Sequence, residues 1–289
     1  MRNLAATITI MALFAAGPAF AWGEVGHEVV GVIAYDRLTP GAKARVDARL
    51  ASDPDPLTAP DFASRTVWAD KYRTTHSETY AWHFADIEIA TSDLSAACFG
   101  FPPLKPGQLA SQGPAQDCVV NKIEEFAKEL KDPATPHAEQ LLALKFLLHF
   151  VADLHQPLHS SDHEDKGGNC VNLEPPRPYP WNSLHSFWDT EVVAQLGDSP
   201  VDIAIRLERD ITPAKAAAWA RGGPRDWAMD TFAVAKTDVY KLPSRPTCGE
   251  HGSVALSQAY QAQARQDAVI QLEKAGVRLA YVLNHALGS

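Results

Sequence analysis

A histidine and an aspartate lie four residues apart in the most apolar stretch of the chain, LLALKFLLHFVADLHQPLH at 141–159. The apolar run predicts a helix that is buried on most sides, and on such a helix His149 and Asp153 share one face. Pro157 ends this helix, and His159 follows at its exit. Buried groups of this kind are costly unless they are hydrogen-bonded, paired or bound to metal. The pattern therefore indicates part of a metal cluster.

The same spacing returns downstream, where His185 and Asp189 are four apart in NSLHSFWDTEVV. Asp70 in WADKYR, His83 in YAWHF and His27 near the start are weaker candidates individually. An aspartate at a helix end is most often solvated, and a lone histidine is most often packed or at the surface. As a set, however, these histidines and aspartates suit divalent zinc, which takes nitrogen and oxygen ligands.

Residues 1–21 have the composition of a secretory signal peptide. Arg2 supplies the basic start, an apolar core follows, and the A-F-A sequence at 19–21 matches a small-x-small cleavage site. The apolar core is too short to span a membrane. Cleavage after this site would make Trp22 the first residue, with a free α-amine that titrates near pH ~7.7–8 and can act as a nitrogen ligand. We therefore expect a mature protein that is exported, to the periplasm of a bacterium or to the medium.

The charge of the chain excludes passive electrostatic binding to polyanions. It carries 26 Lys and Arg against 35 Asp and Glu, a formal net charge of −9, and loss of the one basic residue in 1–21 takes this to −10. Bound divalent cations can still make one site locally positive. A positive site on an acidic protein is thus compatible with an anionic substrate.

The fold class predicted from hydrophobic periodicity is mainly α, with a single domain and long ordered loops. The run HFADIEI at 83–89 alternates like a strand but is short. Segments rich in proline, glycine and aspartate are predicted to be loops, at 52–59, 98–116, 162–180 and 241–252. Helices are predicted at 25–38, 41–51, 60–74, 119–131, 138–156, 182–196, 200–208, 213–220, 225–239 and 253–286.

Four cysteines, Cys98, Cys118, Cys170 and Cys248, are present. An even number in an exported protein indicates two disulfides. Cys98 and Cys118 flank a loop that a bond between them would close, which would leave Cys170 for Cys248. The sequence alone leaves all three possible pairings open.

Six short motifs occur in order along the chain: W-G-x-x-G-H after the signal peptide, W-A-D-x-x-R, W-H-F, H-F-x-x-D-x-H-Q-P-L-H, G-G-N and L-H-x-x-W-D. Together they resemble the secreted tri-zinc nuclease and 3′-nucleotidase family of the mung-bean-nuclease type, which is related in fold to zinc phospholipase C. The resemblance covers residues 22–289. It implies a single helical domain that hydrolyses phosphodiester bonds of single-stranded DNA and RNA and leaves 5′-phosphates.

The resemblance also implies three zinc ions. His155, in the longest motif, is interpreted as a packing or supporting residue rather than as a ligand. The implied ligands form three groups: Asp70, His83, His149 and Asp153; the amine and carbonyl of Trp22 with His27 and the bridging Asp153; and His159, His185 and Asp189.

The substrate contacts implied by the resemblance lie close to the ligands in sequence. Arg73 would contact the scissile phosphate, and Asp70 would also orient the attacking water. Asn169 in the G-G-N motif would contact phosphate and nucleotide, Phe84 would stack on a base, and Asp86 would reach a base edge. Nucleotides and single strands are thus the expected partners, with a monomer and no stable membrane association.

Two other readings compete with the nuclease. A phospholipase C-like phosphodiesterase would use the same zinc ions, but that relative typically replaces one of the later aspartates by glutamate, so Asp189, the G-G-N motif and Arg73 favour the nuclease. An exported zinc-binding protein without catalysis would have sites closed by four protein ligands. The three-ligand set that ends at Asp189 argues against it.

Overall fold

The structure is a computed structural model that describes residues 22–100, 103–175, 182–250 and 252–288. The predicted signal peptide at 1–21 and its cleavage site lie outside the described residues. Within the described residues, regular structure is nearly all helical, which confirms the mainly-α prediction. No described helix is long and apolar enough to cross a membrane.

Thirteen α-helices are numbered here in chain order: α1 Gly23–Asp36, α2 Pro40–Ala51, α3 Phe62–Arg65, α4 Trp68–Tyr72, α5 Leu94–Cys98, α6 Val119–Lys131, α7 His137–Asp153, α8 Leu184–Ser186, α9 Val192–Ala194, α10 Pro200–Glu208, α11 Pro213–Trp219, α12 Pro224–Val234 and α13 Gln258–Leu287. The other elements are 3₁₀ turns at Ser77–His83, Ala110–Gln112 and Pro157–His159, π turns at Phe187–Glu191 and Ala235–Val239, and two strands, β1 Asn172–Glu174 and β2 Ser253–Ala255.

Helix α7 lies at the centre of the core and packs against α4, α6 and α13. All but three of its residues are buried, as the continuous apolar run predicts. The predicted end at 156 is three residues too far. Because the residue before a proline disfavours the α conformation, Gln156 is extended ahead of Pro157. The helix therefore ends at Asp153, and the chain turns sharply beside it.

Helices α1 and α13 pack closely and hold the N-terminal segment on the core. Gly276 of α13 allows this approach, because a Cβ atom there would lie 2.4 Å from Cγ2 of Ile33. The buried face of α1 includes His27 together with Val30 and Ile33. A histidine near the predicted N-terminus is thus buried rather than at the surface.

The predicted helix at 60–74 is wrong in one respect, because it is divided into α3 and α4 around Thr66 and Val67. The hydroxyl of Thr66 donates to the carbonyl of Ala63. Such side-chain bonding competes with a continuous helix. The break leaves the carbonyl of Thr66 available to His149, which lies 2.6 Å away.

Strand pairing is the other departure from the predicted elements. The predicted helix 253–286 begins only at Gln258, where the hydroxyl of Ser257 accepts from the amide of Tyr260. The residues before it form β2, which pairs in parallel with β1 from a predicted loop. The alternating run 83–89 forms no ladder among the described residues and contributes one bridge, Glu88 to Asp162.

Two disulfides close loops around the core and select one of the three possible pairings. Cys98 bonds Cys118, joining α5 to the start of α6. Cys170 bonds Cys248 across 78 residues, beside the β1–β2 pair. The long loop after the G-G-N motif is thereby tied to the segment that precedes α13.

Candidate metal centre

Four ligand atoms from three segments meet in a buried group. Asp70 comes from α4, His83 ends a 3₁₀ turn, and His149 and Asp153 share one face of α7. Oδ2 of Asp153 lies 2.9 Å from Nδ1 of His83 and 3.1 Å from Nε2 of His149. Oδ1 of Asp70 lies 3.5 Å from Nε2 of His149 and 3.8 Å from Nδ1 of His83. The ligand atoms of His83, His149 and Asp153 are mutually within reach of one ion, and Asp70 lies beside them. That all four residues bind a single zinc ion stays a prediction.

The second oxygen of Asp153 faces a different histidine. Oδ1 lies 3.3 Å from Nε2 of His27, whose ring stacks on His149 with centroids 4.0 Å apart. Neither nitrogen of His27 nor this oxygen has a hydrogen-bond partner among the described residues, although all three atoms are buried. A cation beside His27 would satisfy groups that are otherwise costly to bury.

Trp22 is fully buried next to this second group. Its indole donates to the carbonyl of Ala152 at 3.0 Å, and its backbone is left-handed, with φ 49°. Gly26 allows the turn, because a Cβ atom there would lie 2.7 Å from Cβ of Trp22. The structure places the backbone of Trp22 at the start of α1, one turn before His27. A role for its amine as a ligand stays a prediction.

A third group consists of His159, His185 and Asp189. Nε2 of His185 lies 3.1 Å from Nε2 of His159 and 3.3 Å from Oδ2 of Asp189. Gln156 donates to the other oxygen of Asp189 at 2.5 Å. These three ligand atoms are mutually within reach of one ion. Three protein ligands leave room in a coordination shell, as in catalytic rather than structural zinc sites.

Backbone carbonyls fix the orientation of three of these histidines. In each case Nδ1 donates to a carbonyl, so that Nε2 points into its group and is the nitrogen free to bind metal. Spacing alone does not pair these histidines with their carbonyls, because the partners come from distant segments. The pairs are His149 with Thr66 at 2.6 Å, His159 with His83 at 2.9 Å, and His185 with Gly167 at 2.6 Å.

The G-G-N motif has a structural task that was not predicted. Gly167 has φ +58°, and a Cβ atom there would lie 2.5 Å from the carbonyl of Leu158. Only glycine fits this close approach, and it brings the Gly167 carbonyl to His185. Asn169 follows with an exposed side chain that donates to the carbonyl of Lys166.

Electrostatics in the first group favour a positive charge at its centre. Burial alone would lower the pKa of His149, but the carboxylates of Asp153 and Asp70 raise it to about 10. Burial and the nearby Arg73 lower the pKa of His83 to about 3. The two carboxylates thus attract a cation to this position.

The third group shows the cost of burying ligands. Burial, followed by the charge of His159, lowers the pKa of His185 to about 3. Burial also raises the pKa of Asp189 well above its usual range. A bound divalent cation would reverse this balance by stabilising the carboxylate.

Two of the predicted substrate residues, Arg73 and Phe84, contact residues of these groups. Nη2 of Arg73 lies 2.9 Å from Oδ1 of Asp70, and the Arg73 side chain is buried. Phe84 is half-buried, with its ring centroid 6.5 Å from that of His159. Asp86 is exposed, although the surrounding protein and the charge of Asp162 raise the pKa of its carboxyl.

His155 belongs to none of the groups, in agreement with its interpretation as a packing residue. Its Nδ1 lies 2.6 Å from the carbonyl of Val151, and its Nε2 accepts a hydrogen bond from Nη1 of Arg278 at 2.9 Å. Arg278 in turn pairs with Asp230 at 2.6 Å. The ring therefore joins α7 to α13 and α12.

A helical fold that gathers buried histidines and aspartates into adjacent groups beside an arginine is the arrangement expected of a metal-dependent hydrolase. A sequence profile of the family S1/P1 Nuclease matches residues 22–288, and the chain therefore belongs to the S1/P1 nuclease family. Similar proteins include Endonuclease 2 of Arabidopsis thaliana, 27% identical over 97% of this chain and 96% of its own length. Nuclease PA3 of Penicillium sp and Nuclease P1 of Penicillium citrinum are also 27% identical, each over 93% of this chain and 98% of their own. The chain is thus a hydrolase that acts on phosphodiester bonds, which confirms the predicted resemblance and enzyme class.

Proposed function

We propose that the protein is an exported zinc-dependent endonuclease that cleaves single-stranded DNA and RNA to products with 5′-phosphates, and that also accepts 3′-nucleotides. The observation that carries this proposal is the shared carboxylate of Asp153, whose two oxygens face two histidine groups, with Arg73 adjoining. The signal-peptide-like composition of residues 1–21 and the two disulfides support export. We propose residues 22–289 as one monomeric nuclease domain without stable membrane association.

Three zinc ions are proposed, since the donor set of imidazole nitrogens and carboxylate oxygens suits this metal. Buried atoms without a hydrogen-bond partner support the fit: both ring nitrogens of His27, Oδ2 of Asp70 and Oδ1 of Asp153. The ligands would be Asp70, His83, His149 and Asp153 for one ion, Trp22, His27 and Asp153 for the second, and His159, His185 and Asp189 for the third.

Bound zinc would supply Lewis acidity, lowering the pKa of a water molecule and neutralising charge on the phosphate. Protein side chains would bind the phosphate and orient the attacking water. Arg73, held by Asp70, would donate to phosphoryl oxygens as negative charge builds on them. The carboxylate of Asp70 would orient the attacking water.

The substrate would be held at the rim of the same site. Phe84 offers a half-buried ring for a base, and Asp86 an exposed carboxyl for its edge. Asn169, exposed after the G-G loop, would contact phosphate and nucleotide. A base on Phe84 must leave its duplex stack, which costs a few kcal/mol, and this favours single strands.

The test is product analysis on the zinc-loaded protein that begins at Trp22. Single-stranded DNA, single-stranded RNA, the matched duplexes and phosphatidylcholine vesicles are offered in parallel, and the products are identified by mass spectrometry. We expect 5′-phosphorylated fragments from both single strands, slower cleavage of duplexes and no lipid hydrolysis. Lipid hydrolysis without nucleotide release would replace the nuclease by a phospholipase, and no hydrolysis by fully loaded protein would leave a zinc-binding protein without catalysis.

A further inference from the structure

Tyr80 is an exposed aromatic side chain next to the metal centre. It lies in the 3₁₀ turn Ser77–His83, three residues before His83, and in such a turn side chains three apart fall on the same side. The side chain is 52% exposed, and it is the one aromatic residue among the large exposed hydrophobic side chains of the described chain. A single exposed ring is ordinary on a protein surface. The placement of this ring, in the turn that carries His83 and against the guanidinium of Arg73, is what makes it a candidate contact for substrate.

We propose that Tyr80 stacks on the base of the nucleotide that follows the scissile phosphate, while Phe84 takes the base that precedes it. This inference rests on the proposed nuclease function and adds a second base site to it. The substrate class is a single strand with a nucleobase on each side of the cleaved bond.

Arg73 links Tyr80 to the phosphate position. Its guanidinium carbon lies 5.5 Å from the centroid of the Tyr80 ring, and its Nη2 lies 2.9 Å from Oδ1 of Asp70. A phosphate bound by Arg73 would therefore have the ring of Tyr80 within about one nucleotide's reach. The half-buried ring of Phe84 has its centroid 5.7 Å from that of Tyr80 and 6.5 Å from that of His159. The two nucleosides joined by that phosphate would therefore have one accessible ring each.

The relative orientation of the rings determines the shape of the bound strand. The centroids of Tyr80 and Phe84 are 5.7 Å apart, and their planes meet at 78°. Two successive bases that each lie flat on one ring would be nearly perpendicular to each other. Stacked neighbours in a duplex are parallel, so only a strand that can splay its bases would occupy both rings. The geometry gives a second reason for single-strand selection.

Tyr80→Ala, compared on two substrates, tests the proposal. One is the dinucleotide dApdA, and the other carries an abasic tetrahydrofuran residue in place of the second nucleoside. We expect kcat/KM on dApdA to fall about tenfold, or about 1.4 kcal/mol, within the range for base–aromatic stacking. On the abasic substrate, we expect a change of less than about twofold, because wild type already lacks the contact there.

Two controls are matched to this variant. Tyr80→Phe keeps the ring and should retain the preference for dApdA. Val201→Ala truncates a side chain of the same 52% exposure on α10, away from the ligands, and should leave both rates unchanged.

Photocrosslinking provides a readout that does not depend on turnover. A dinucleotide with a methylene group in place of the bridging 3′ oxygen cannot be cleaved, and 5-iodouracil is placed in its first or second position. We expect the second position to crosslink to Tyr80 and the first to Phe84, as located by peptide mass spectrometry.

Several outcomes would overturn the proposal. Equal losses on both substrates would show that Tyr80 acts through Arg73, and no loss on either would show that it binds no base. Crosslinks from the second position to another residue would place the second base elsewhere. If zinc-loaded wild type cleaved neither substrate, the nuclease function itself would fall, and the stacking site with it.

Discussion

At the scale of single residues, Asp153 connects two of the histidine groups of the candidate metal centre. One oxygen faces His83 and His149, and the other faces His27. The spacing of four between His149 and Asp153 made their common face predictable. The division of the two oxygens between two histidine groups was not predictable from spacing, because it depends on where α1 meets α7.

We expect Asp153→Asn to remove two ions at once. A neutral amide is a poor replacement for a bridging carboxylate, so the first two groups should lose zinc while His159, His185 and Asp189 keep theirs. Activity should fall by more than about 100-fold, the upper range for loss of a supporting contact. Metal content by mass spectrometry, with Asp86→Asn as the control that retains all ions, checks this. Loss of a single ion would contradict the bridging role.

Residues that support the ligands were largely missed from the sequence. Gln156 contacts Asp189, and the carbonyls of Thr66 and Gly167 orient His149 and His185. Any residue can supply a carbonyl, so composition carries no signal for it. The glycines of the G-G-N motif were a usable signal, since a paired glycine often marks a close backbone approach.

At the scale of elements, most helices could be predicted because local chemistry sets their ends. Thr39, Ser199 and Thr212 cap α2, α10 and α11 and each precedes a proline. The β1–β2 pair escaped prediction, since each strand has three residues and they are about 80 positions apart in sequence. The division of α3 from α4 involves a local bond, from the Thr66 hydroxyl to the Ala63 carbonyl, that helical periodicity does not reveal.

The loop between α5 and α6 is held by two carboxyl groups from neighbouring helices. Glu129 of α6 accepts from the amide of Ala110 at 2.7 Å, and Glu139 of α7 accepts from the amide and hydroxyl of Ser111. Burial, together with the charge of Glu139, raises the pKa of Glu129 to about 7. In the folded protein, the carboxyl group of Glu129 therefore stays protonated at pH values where it is ionised in the unfolded chain.

The sign of the pH effect follows from linkage. The raised pKa of Glu129 contributes to the free energy of unfolding. This contribution is fully present below about pH 4.5, the ordinary pKa of a glutamate, and is lost as the pH rises through about 7. Glu129→Gln keeps an acceptor oxygen and removes the charge. We expect it to raise the free energy of unfolding by roughly 1 kcal/mol at pH 8, after discounting for solvent screening, and by much less at pH 5.

Chemical unfolding at the two pH values measures this difference. Glu78→Gln, at an exposed position of the 3₁₀ turn before His83, is the control and should change stability little at either pH. An equal gain for Glu129→Gln at pH 5 and pH 8 would contradict the linkage between this carboxyl and the loop.

At the scale of the whole molecule, an acidic protein presents one site suited to an anion. The chain has a net charge of −9, yet its ligand groups and Arg73 are concentrated around one end of α7. Divalent ions there would give a local excess of positive charge. The motifs predicted this group of residues because they occur in order over residues 22–189. The role of the Trp22 amine stays a prediction, because it depends on cleavage ahead of α1.

The most direct test of the account is the metal count of two forms of the protein by native mass spectrometry. One form begins at Trp22, as verified by N-terminal sequencing, and the other keeps Ala21 ahead of it. An amide nitrogen is a far poorer donor than a free amine, so we expect three zinc ions on the first form and two on the extended form, which would also be nearly inactive. Three ions and full activity in both forms would contradict the role of the Trp22 amine, and fewer than three in the first would contradict the three-ion centre.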